Sequence, residues 1–559
     1  MKPNYYVTPI RASNQTGPRY GTWLRRILIT IILIAAILAG LLQIRSPKPA
    51  GMDAPPEAFS SARAMEKVKM IAREPHPSGS SAHDEVRDYL IAELEHLGLH
   101  PEIQQADVMP GMSARYSGRL DNIVVRIPGT DPSKPLMLAA HYDSVASGPG
   151  AADDASGIAA MLETVRALQA SGPLKNDLIL LMTDGEEQGL LGAKALVNEQ
   201  PWTREVGLVL NYEARGNKGP SFMFETSNQN GWIIQEFIKA APHPVAYSLI
   251  YNLYKLMPND TDLTMFKNAG IPGLNFAFGI GLNAYHTELD TAANLDPSSL
   301  QHQGDYMLSL ARHFGNLDLN QIKQQDRVYF NTIGWSMISY PESWILWFTI
   351  LAVLLFIVTV WHGIYARRFR WKGLFGGLFV SLLALVVIYG VNTLLWGLLR
   401  SRISEERYRQ ILVDPQVSVY YLVGSLVITL VLAICIARVG SRFIRPENIW
   451  FGVLTLWLLL CVGTSISLPG GSYVFTWPLI FSLIGLNLFL FMEEETKGWL
   501  STLFAIPGFV LLTPICYLVY YLMTLGMAGA LMAIATLAFT LIFPLFCRPC
   551  QNRKRDMYG

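Results

Sequence analysis

The hydrophobic pattern begins with one long apolar run near the start of the chain. Residues 27–44, "ILITIILIAAILAGLLQI", carry no charge and are about long enough to span a bilayer. Arg45 and Lys48 follow this run, where a cleaved signal peptide would have a small-residue cleavage site. We therefore expect an uncleaved transmembrane anchor at 27–44, preceded by a short segment at 1–26.

Between residues 61 and 320, short apolar runs alternate with stretches of helical spacing. The runs "LMLAA", "DLILLMT", "VGLVLNY" and "GLNFAF" are typical of buried strands, and "HDEVRDYLIAELEHLGL" has helical spacing. Strands that alternate with helices predict an α/β fold, a three-layer αβα domain with a mixed, mainly parallel sheet. Residues 45–60 contain several prolines and are expected to be a linker to this domain.

After residue 340 the pattern becomes that of an all-α, multi-span transmembrane region. Seven further apolar segments have cores without Asp, Glu, Lys or Arg, so seven spans are predicted within residues 340–546. They lie at about 344–361, 374–396, 417–437, 449–466, 473–492, 500–522 and 527–546. With the anchor, the predicted number of spans is eight.

The distribution of basic residues predicts the orientation of these spans. Segments assigned to the cytoplasmic side hold 17 Lys and Arg, and the short segments assigned to the other side hold four. Eight spans place both termini in the cytoplasm, including the basic tail at 547–559. The domain at 61–320, between the first and second spans, is then predicted to be extracytoplasmic.

Composition and charge exclude several classes of protein. The chain is 51% hydrophobic with a net charge of +1, which argues against nucleic acid as a partner and for contact with membrane lipid. All five cysteines lie at or after Cys435, so a disulfide framework is excluded for the first three-quarters of the chain. The motif "CRPC" at 547–550, at the end of a span beside "RKR", is interpreted as incidental or as a lipidation site. Whether the protein forms a homo-oligomer is left open.

Four predicted strands each end in His, Asp or Glu. His141 and Asp143 follow "PLMLAA", and the pair Asp153 and Asp154 lies in a small-residue loop before the helical stretch "GIAAMLETVRAL". The other three strand ends supply Glu186, Glu187, Glu213, His286 and Asp290. Sites in such sheets lie beyond the carboxyl ends of the strands, so we expect these side chains to converge.

A metal ion is the simplest reason to gather so many acids. Uncompensated carboxylates at one sheet edge would repel each other, and a bound cation removes that cost. Imidazole with carboxylate suits Zn²⁺ and is compatible with Mn²⁺ or Co²⁺. A two-metal site needs one bridging carboxylate, and one further carboxylate must stay off the metals as general base. Each motif alone has a plainer explanation in loop polarity or a solvated helix start, but together they predict a metal site.

These motifs resemble those of a known family. The stretches "PHPSGSSAHDEVRDYL", "HYDSVASGPGAADDASG", "TDGEEQGLLGA", "NYEARG", "NDTDLTMF" and "YHTELDT" resemble the co-catalytic zinc exopeptidases related to bacterial leucyl aminopeptidase and glutamate carboxypeptidase. The similarity covers residues 65–315 and is greatest to the multi-spanning branch of endoplasmic reticulum metallopeptidases and vacuolar membrane proteases. It implies a zinc metallopeptidase with two zinc ions that hydrolyses peptides.

The resemblance also implies the metal ligands. Asp153 would bridge the two zinc ions. His141 and Glu213 would complete the protein ligands of one ion, and Glu187 and His286 those of the other. Glu213 stands where the soluble aminopeptidases have Asp, whereas the membrane branch tends to use Glu.

Further roles follow from the same resemblance. Glu186 would be the general base that deprotonates the water between the metals, and Asp143 would support the metal-bound imidazole. Asp262 and Asp290 are candidates for contacts behind the ligands. Asp154, where many relatives have Asn, is interpreted as a neighbour of the bridge without a ligand role. The histidines of "PHPSGSSAH", at 76 and 83, are interpreted as structural or rim residues.

Several functions stay open at this point. An aminopeptidase is favoured, while a carboxypeptidase would need a basic residue for the substrate carboxylate, for which Arg215 is a candidate. Acyl transfer of the glutaminyl-cyclase kind on the same fold is an alternative, because those relatives keep a similar ligand set. A degenerate binding module would have lost ligands or the base. A transporter or an intramembrane protease would need ionisable residues within its spans. Neither the binding module nor a membrane function of this kind is therefore favoured.

Overall fold

The computed structural model describes residues 19–109, 113, 115–492 and 494–547. The predicted tail after residue 547, most of "CRPC" and the first 18 residues lie outside the described residues. The first described element is α1 (Arg19–Leu41), which coincides with most of the predicted anchor.

A seven-stranded mixed sheet forms the centre of the first domain. Its strands are β1 (Glu102–Val108), β2 (Gly118–Ile127), β3 (Leu136–His141), β4 (Leu178–Thr183), β5 (Leu208–Ala214), β6 (Phe222–Thr226) and β7 (Gly273–Phe278). The strand order is β1-β2-β4-β3-β5-β7-β6. The neighbours β4, β3, β5 and β7 are parallel, and the pairs at the two edges of the sheet are antiparallel. The predicted mixed, mainly parallel sheet is confirmed.

Helices cover both faces of this sheet. They are α2 (Ser61–Ile71), α3 (Ser81–His96), α4 (Ala155–Gln169), α5 (Leu191–Glu199), α6 (Gly231–Ala240), α7 (Ser248–Tyr254), α8 (Asp262–Asn268) and α9 (Pro297–Phe314). Adjacent residues of β3 point to opposite faces. Leu138 is in the hydrophobic cluster with residues of α2, α4 and α9, and Met137 is in the separate cluster with α5 and α8. Residues of the central strands are therefore buried on both faces, as their uninterrupted apolar runs predicted.

The second half of the chain is a bundle of helices. They are α10 (Trp344–Tyr365), α11 (Trp371–Arg400), α12 (Glu405–Val413), α13 (Pro415–Phe443), α14 (Pro446–Ser467), α15 (Tyr473–Phe491), α16 (Glu494–Met523), α17 (Ala528–Thr540) and α18 (Phe543–Phe546). Within the described ranges, seven helices are long and apolar enough to cross a membrane, and α1 belongs to the first of them.

The structure differs from the predicted eight spans at the last apolar segment. Residues 527–546 were expected to form one span, but α17 has only 13 residues and α18 has four. A helix of that length rises about 20 Å, less than the ~30 Å hydrocarbon core of a bilayer. Pro544 stands near the start of α18, where its ring prevents continuation of the preceding helix. The location of both termini on one side, which assumed eight spans, stays a prediction.

A two-stranded ribbon joins the two halves. It consists of β8 (Arg327–Asn331) and β9 (Met337–Pro341), which pair antiparallel directly before α10. Phe330 of β8 stacks on Tyr473 at the start of α15, with ring centroids 4.2 Å apart. The sheet domain therefore contacts the helical bundle directly through the ribbon.

Candidate metal centre

His141 is the last residue of β3, and its ring is buried among carboxylates at the edge of the sheet. Its Nδ1 lies 3.0 Å from the backbone oxygen of Asp143. Its Nε2 points the other way, 3.2 Å from Asp153 Oδ1 and 3.6 Å from Glu213 Oε2. The contact at Nδ1 fixes the ring and leaves Nε2 directed at the two carboxylates. Metal-bound histidines are usually held in this way, by a hydrogen bond from the ring nitrogen that does not bind the metal.

The two carboxylate oxygens of Asp153 face two different histidines. Oδ1 is near His141, whereas Oδ2 lies 3.2 Å from His286 Nε2. The same His286 atom lies 3.0 Å from Glu187 Oε1. Two groups result, one with His141 and Glu213 and one with Glu187 and His286, and Asp153 belongs to both. The candidate ligand atoms within each group lie within 4.8 Å of one another.

His286 is held by its own loop in an unusual backbone conformation. Its φ is +57°, in the left-handed region that residues with a Cβ seldom adopt. The ring of Tyr285 stacks on the imidazole, with centroids 3.8 Å apart. The hydroxyl of Ser147, from the loop after β3, donates to the backbone oxygen of His286 at 2.9 Å. Such strained residues often occur at functional sites, and here the strain places an imidazole opposite Asp153.

The donor set fits metal binding. Glu187 Oε1 and His286 Nε2 are buried atoms 3.0 Å apart, and within the described part of the chain neither has a partner in hydrogen-bond geometry. Burial raises the pKa of Glu213 well above its ordinary value. His141 lowers this pKa, whereas the negative charges of Asp154 and Asp153 raise it further. A bound cation would satisfy the free lone pairs and relieve this repulsion at once. Histidine and carboxylate ligands in this arrangement are those that zinc accepts.

Glu186, the predicted base, stands next to the two groups. Its side chain is half-buried, and the residue comes three positions after the end of β4. Burial, followed by the negative charge of Glu213, raises its pKa well above the ordinary value. The residue is in neither candidate ligand group. It thus meets the condition that a general base remains off the metals.

Asp143 contacts the two glutamates through their backbones. Its fully buried carboxylate accepts hydrogen bonds from the N–H groups of Glu186 and Glu187, at 3.1 and 3.2 Å. Asp143 Oδ1 also lies 3.5 Å from His141 Nδ1. The predicted support of the imidazole therefore comes mainly from the Asp143 backbone oxygen, and the carboxylate ties β3 to the loop after β4.

Two other predicted residues lie behind the ligands. Asp290 accepts hydrogen bonds from the backbone N–H of Ala152 at 2.8 Å and of Asp153 at 3.2 Å. Burial raises the pKa of Asp290 to about 7. Asp262, at the start of α8, accepts a short hydrogen bond from the hydroxyl of Thr183, and burial raises its pKa to about 6. Asp290 thereby fixes the loop of the bridging carboxylate.

Asp154 and Arg215 are outside the two ligand groups. Asp154 caps α4, because its carboxylate accepts the N–H of Gly157 at 3.0 Å. The peptide bond between Asp153 and Asp154 is cis. Arg215 follows β5 with a half-buried side chain, and its backbone N–H donates to Phe278 O at 2.9 Å. The helix-capping contact gives Asp154 a local structural role.

Sequence reasoning missed a buried group of residues around Asp184, which is next to Asp143 through Ser78, whose Oγ lies 3.5 Å from Asp143 Oδ2. Asp184 accepts hydrogen bonds from the hydroxyl of Ser78 at 2.7 Å and from the N–H of Asp121 at 2.9 Å. His83 forms an ion pair with Asp184 at 3.0 Å and stacks on Tyr142. The quoted motif "PHPSGSSAH" contained both Ser78 and His83, but no spacing rule linked it to a residue one hundred positions away.

Asn211 was also missed. Its side-chain amide donates to Glu213 Oε1 at 3.0 Å and to Asn275 Oδ1 at 3.0 Å. Residues two apart on a strand share a face, so the position of Asn211 before Glu213 on β5 was a usable signal. The amide orients the carboxylate that faces His141.

Fold and site together describe an α/β domain with two candidate metal-ligand groups at the carboxyl ends of its parallel strands. Residues 122–311 match the family model of Peptidase family M28.

Relatives with curated names match about half of the chain. The chain is 32% identical over 263 residues to endoplasmic reticulum metallopeptidase 1 of Mus musculus, covering 45% of this chain and 29% of that protein. It is 31% identical over 320 residues to the vacuolar membrane protease of Candida dubliniensis, covering 55% and 34%. The chain thus spans about a third of the length of these curated relatives.

Solved structures are similar to just under half of the chain at lower identity. A zinc aminopeptidase from Bacillus subtilis is 14% identical with a TM-score of 0.38, covering 48% of this chain and 98% of that one. Porphyromonas gingivalis glutaminyl cyclase is 20% identical with a TM-score of 0.37, covering 45% and 96%.

Proposed function

We propose that the protein is a membrane-anchored, zinc-dependent exopeptidase. The observation that carries the proposal is the position of Asp153, whose two oxygens face a histidine and carboxylate group on either side. The match to Peptidase family M28 and the names of the relatives, a metallopeptidase and a membrane protease, support it. The proposed ligands are His141, Asp153, Glu187, Glu213 and His286.

Zinc ions held by these ligands would polarise the scissile carbonyl and lower the pKa of water. Glu186 takes a proton from the attacking water and returns it to the leaving amine. Burial raises the pKa of Glu186 above its ordinary value, which favours uptake of a proton by its carboxylate. Asp143 keeps the Glu186 backbone in place during both transfers.

The charge of the site favours peptides with a free amino terminus. In the part of the chain that the structure describes, no Lys or Arg forms an ion pair with Asp153, Glu187 or Glu213. Two zinc ions would compensate the charge of these ligands, so a substrate carboxylate would need a basic residue beside them. Aminopeptidase action is therefore the proposed specificity, and Arg215 is the residue on which carboxypeptidase action would depend.

Orientation in the membrane is a further part of the proposal. The excess of Lys and Arg in the segments assigned to the cytoplasm supports a peptidase domain outside it. Both termini lie inside only if residues 527–546 complete an eighth crossing in addition to the seven long apolar helices of the described residues. A glycosylation reporter inserted in the linker at 45–60 tests this orientation. We expect the reporter in the linker to be glycosylated. A second reporter is placed at a terminus of the chain, and glycosylation of that reporter but not of the linker reporter would contradict the proposed orientation.

The full-length protein in detergent, incubated with a peptide library, tests the activity. Products are read by mass spectrometry before chelation, after chelation and after zinc is restored. We expect single residues to be released from amino termini, loss of release with chelator and recovery with zinc. Release from carboxyl termini would favour carboxypeptidase action, and cyclised amino-terminal glutamine without hydrolysis would favour acyl transfer. Hydrolysis that chelation leaves unchanged would contradict the zinc-dependent mechanism.

A further inference from the structure

The turn that carries His286 lies against one end of the helical bundle. Gly281 and Leu282 of this turn line a cavity whose other walls belong to α12, α13 and α16. Pro415 at the start of α13 and Tyr520 near the end of α16 are among these walls. The peptidase domain therefore contacts the bundle at a segment of the candidate metal centre.

The distance along this segment from the bundle to the metal centre is short. Leu282 and His286 are four residues apart, and the N–H of Ala284 between them donates to Gly281 O at 3.0 Å. Because consecutive Cα atoms are about 3.8 Å apart, the Cα atoms of Leu282 and His286 are separated by at most about 15 Å. His286 Nε2 in turn lies 3.2 Å from Asp153 Oδ2. The candidate metal centre is therefore close to this end of the bundle.

The residues at this end of the bundle mark the boundary between lipid and water. Pro415 is the first residue of one candidate membrane span, and Tyr521, which also lines the cavity, is the last residue of another. The polar helix α12 and Asp414 come directly before Pro415. Tyr420, in the second turn of α13, is 78% exposed, and tyrosine is enriched where a span meets the membrane surface. The turn of His286 therefore lies beside the membrane boundary.

A second contact holds the domain at the same end of the bundle. The hydroxyl of Ser248 donates to Gly470 O at 2.6 Å, in the 3₁₀ turn between α14 and α15. A Cβ on Gly470 would lie 1.9 Å from Asn252 Nδ2, so the two halves approach closely there. Consecutive spans alternate in direction, so this turn lies at the same end as the start of α13. Contacts at two separate places fix the height of the metal centre above the bundle.

The metal centre is open on the side of His286. The side chain of His286 is 35% exposed, whereas those of the other four proposed ligands are 1% to 9% exposed. Leu289, three residues further along, is 43% exposed. The accessible ligand therefore belongs to the same turn that contacts the bundle, and an exposed apolar side chain follows it. A substrate that reaches the metals past this turn approaches from beside the membrane boundary.

We propose that the substrates of this site are peptides held in the membrane, whose amino terminus emerges from the bilayer by only a few residues. The inference rests on the proposed exopeptidase function and names its substrate class. About five extended residues cover ~15 Å, the greatest length of the segment between the bundle contact and His286. A single anchor with a linker would let the domain move away from the bilayer, whereas a packed bundle keeps its site at a constant height.

The test uses the full-length protein in phosphatidylcholine nanodiscs and peptides with a lipid at the carboxyl terminus. Each peptide has the same amino-terminal tripeptide, followed by a spacer of about 6 or about 18 prolines. Polyproline rises about 3.1 Å per residue, so the two spacers have lengths of about 19 and 56 Å. Each anchored peptide is compared with the same peptide without the lipid. The measured quantity is the ratio of anchored to free rates for release of the first residue, with chelator-treated protein as background.

We expect this ratio to be about tenfold or more higher for the short spacer, since the effective concentration is greatest when the length of a tether matches the distance that it spans. Equal ratios, or a higher ratio for the long spacer, would overturn the inference. Hydrolysis of the free peptides without hydrolysis of the anchored short peptide would also overturn it, while the proposed function would stand. If neither free nor anchored peptides were hydrolysed, the proposed function would fail together with the inference.

Discussion

The carboxylate of Asp143 accepts a hydrogen bond from the backbone N–H of Glu186 at 3.1 Å. Asp143 follows β3 and Glu186 follows β4, and these two strands are parallel neighbours in the sheet. The second carboxylate oxygen accepts the N–H of Glu187 at 3.2 Å. One buried acid therefore sets the position of the proposed base and of a proposed zinc ligand.

Replacing Asp143 with Asn should loosen this arrangement. An amide has one acceptor oxygen, so the NH₂ group would face one of the two backbone N–H donors. We expect zinc affinity to fall by about 10- to 100-fold, as for other residues that support metal ligands. Affinity is measured by competition with a chromogenic chelator, and Asp131→Asn, at an exposed position, is the matched control. Equal affinities in both variants would exclude this role of Asp143.

The small residues of the loop after β3 make room for the loop of His286. A Cβ on Gly148 would lie 2.3 Å from the backbone oxygen of Thr287. Gly148→Ala should displace His286 and reduce bound zinc from two ions toward one, with lower kcat. Gly279→Ala is the control, because a Cβ there meets nothing within 4 Å. Metal analysis that gives the same stoichiometry for both variants would show that the close approach does not matter.

The ion pair between His83 and Asp184 should make stability depend on pH. Burial lowers the pKa of His83, but the pairing with Asp184 outweighs this and leaves it raised above 6.5. A raised folded-state pKa adds stability that is fully present below the unfolded value and is lost as pH rises through the folded value. The thermal midpoint of His83→Gln should therefore fall further below wild type at about pH 6 than at about pH 9. The control is His96→Gln at an exposed position of the same helix; a pH-independent difference for His83→Gln would contradict the charge-based explanation.

The sequence predicted the central strands but not those at the edges. The runs "LMLAA", "DLILLMT", "VGLVLNY" and "GLNFAF" correspond to β3, β4, β5 and β7, because strands covered on both faces must be apolar throughout. By contrast, β1 has the sequence "EIQQADV" and is largely exposed, so its pattern resembles that of a loop. Hydropathy also gave no sign that α17 would end at Thr540.

The convergence of the candidate ligands was predictable because strand ends share one edge of the sheet. His141 and Glu213 come together since β3 and β5 are adjacent and parallel. The contact between Ser248 and Gly470 was not predictable, since 222 residues separate them and neither lies in a periodic pattern. The same holds for the contact of Ser78 with Asp184, which depends on loop conformation rather than on strand order.

The role of Glu186 is the central claim, and Glu186→Gln tests it most directly. The full-length protein is assayed for peptide hydrolysis and bound zinc beside Glu199→Gln, which changes an exposed glutamate on α5. A glutamine cannot accept the proton, so we expect kcat to fall by about 10²- to 10⁴-fold while zinc content stays at the wild-type level. Hydrolysis at the wild-type rate by zinc-loaded Glu186→Gln would contradict the account.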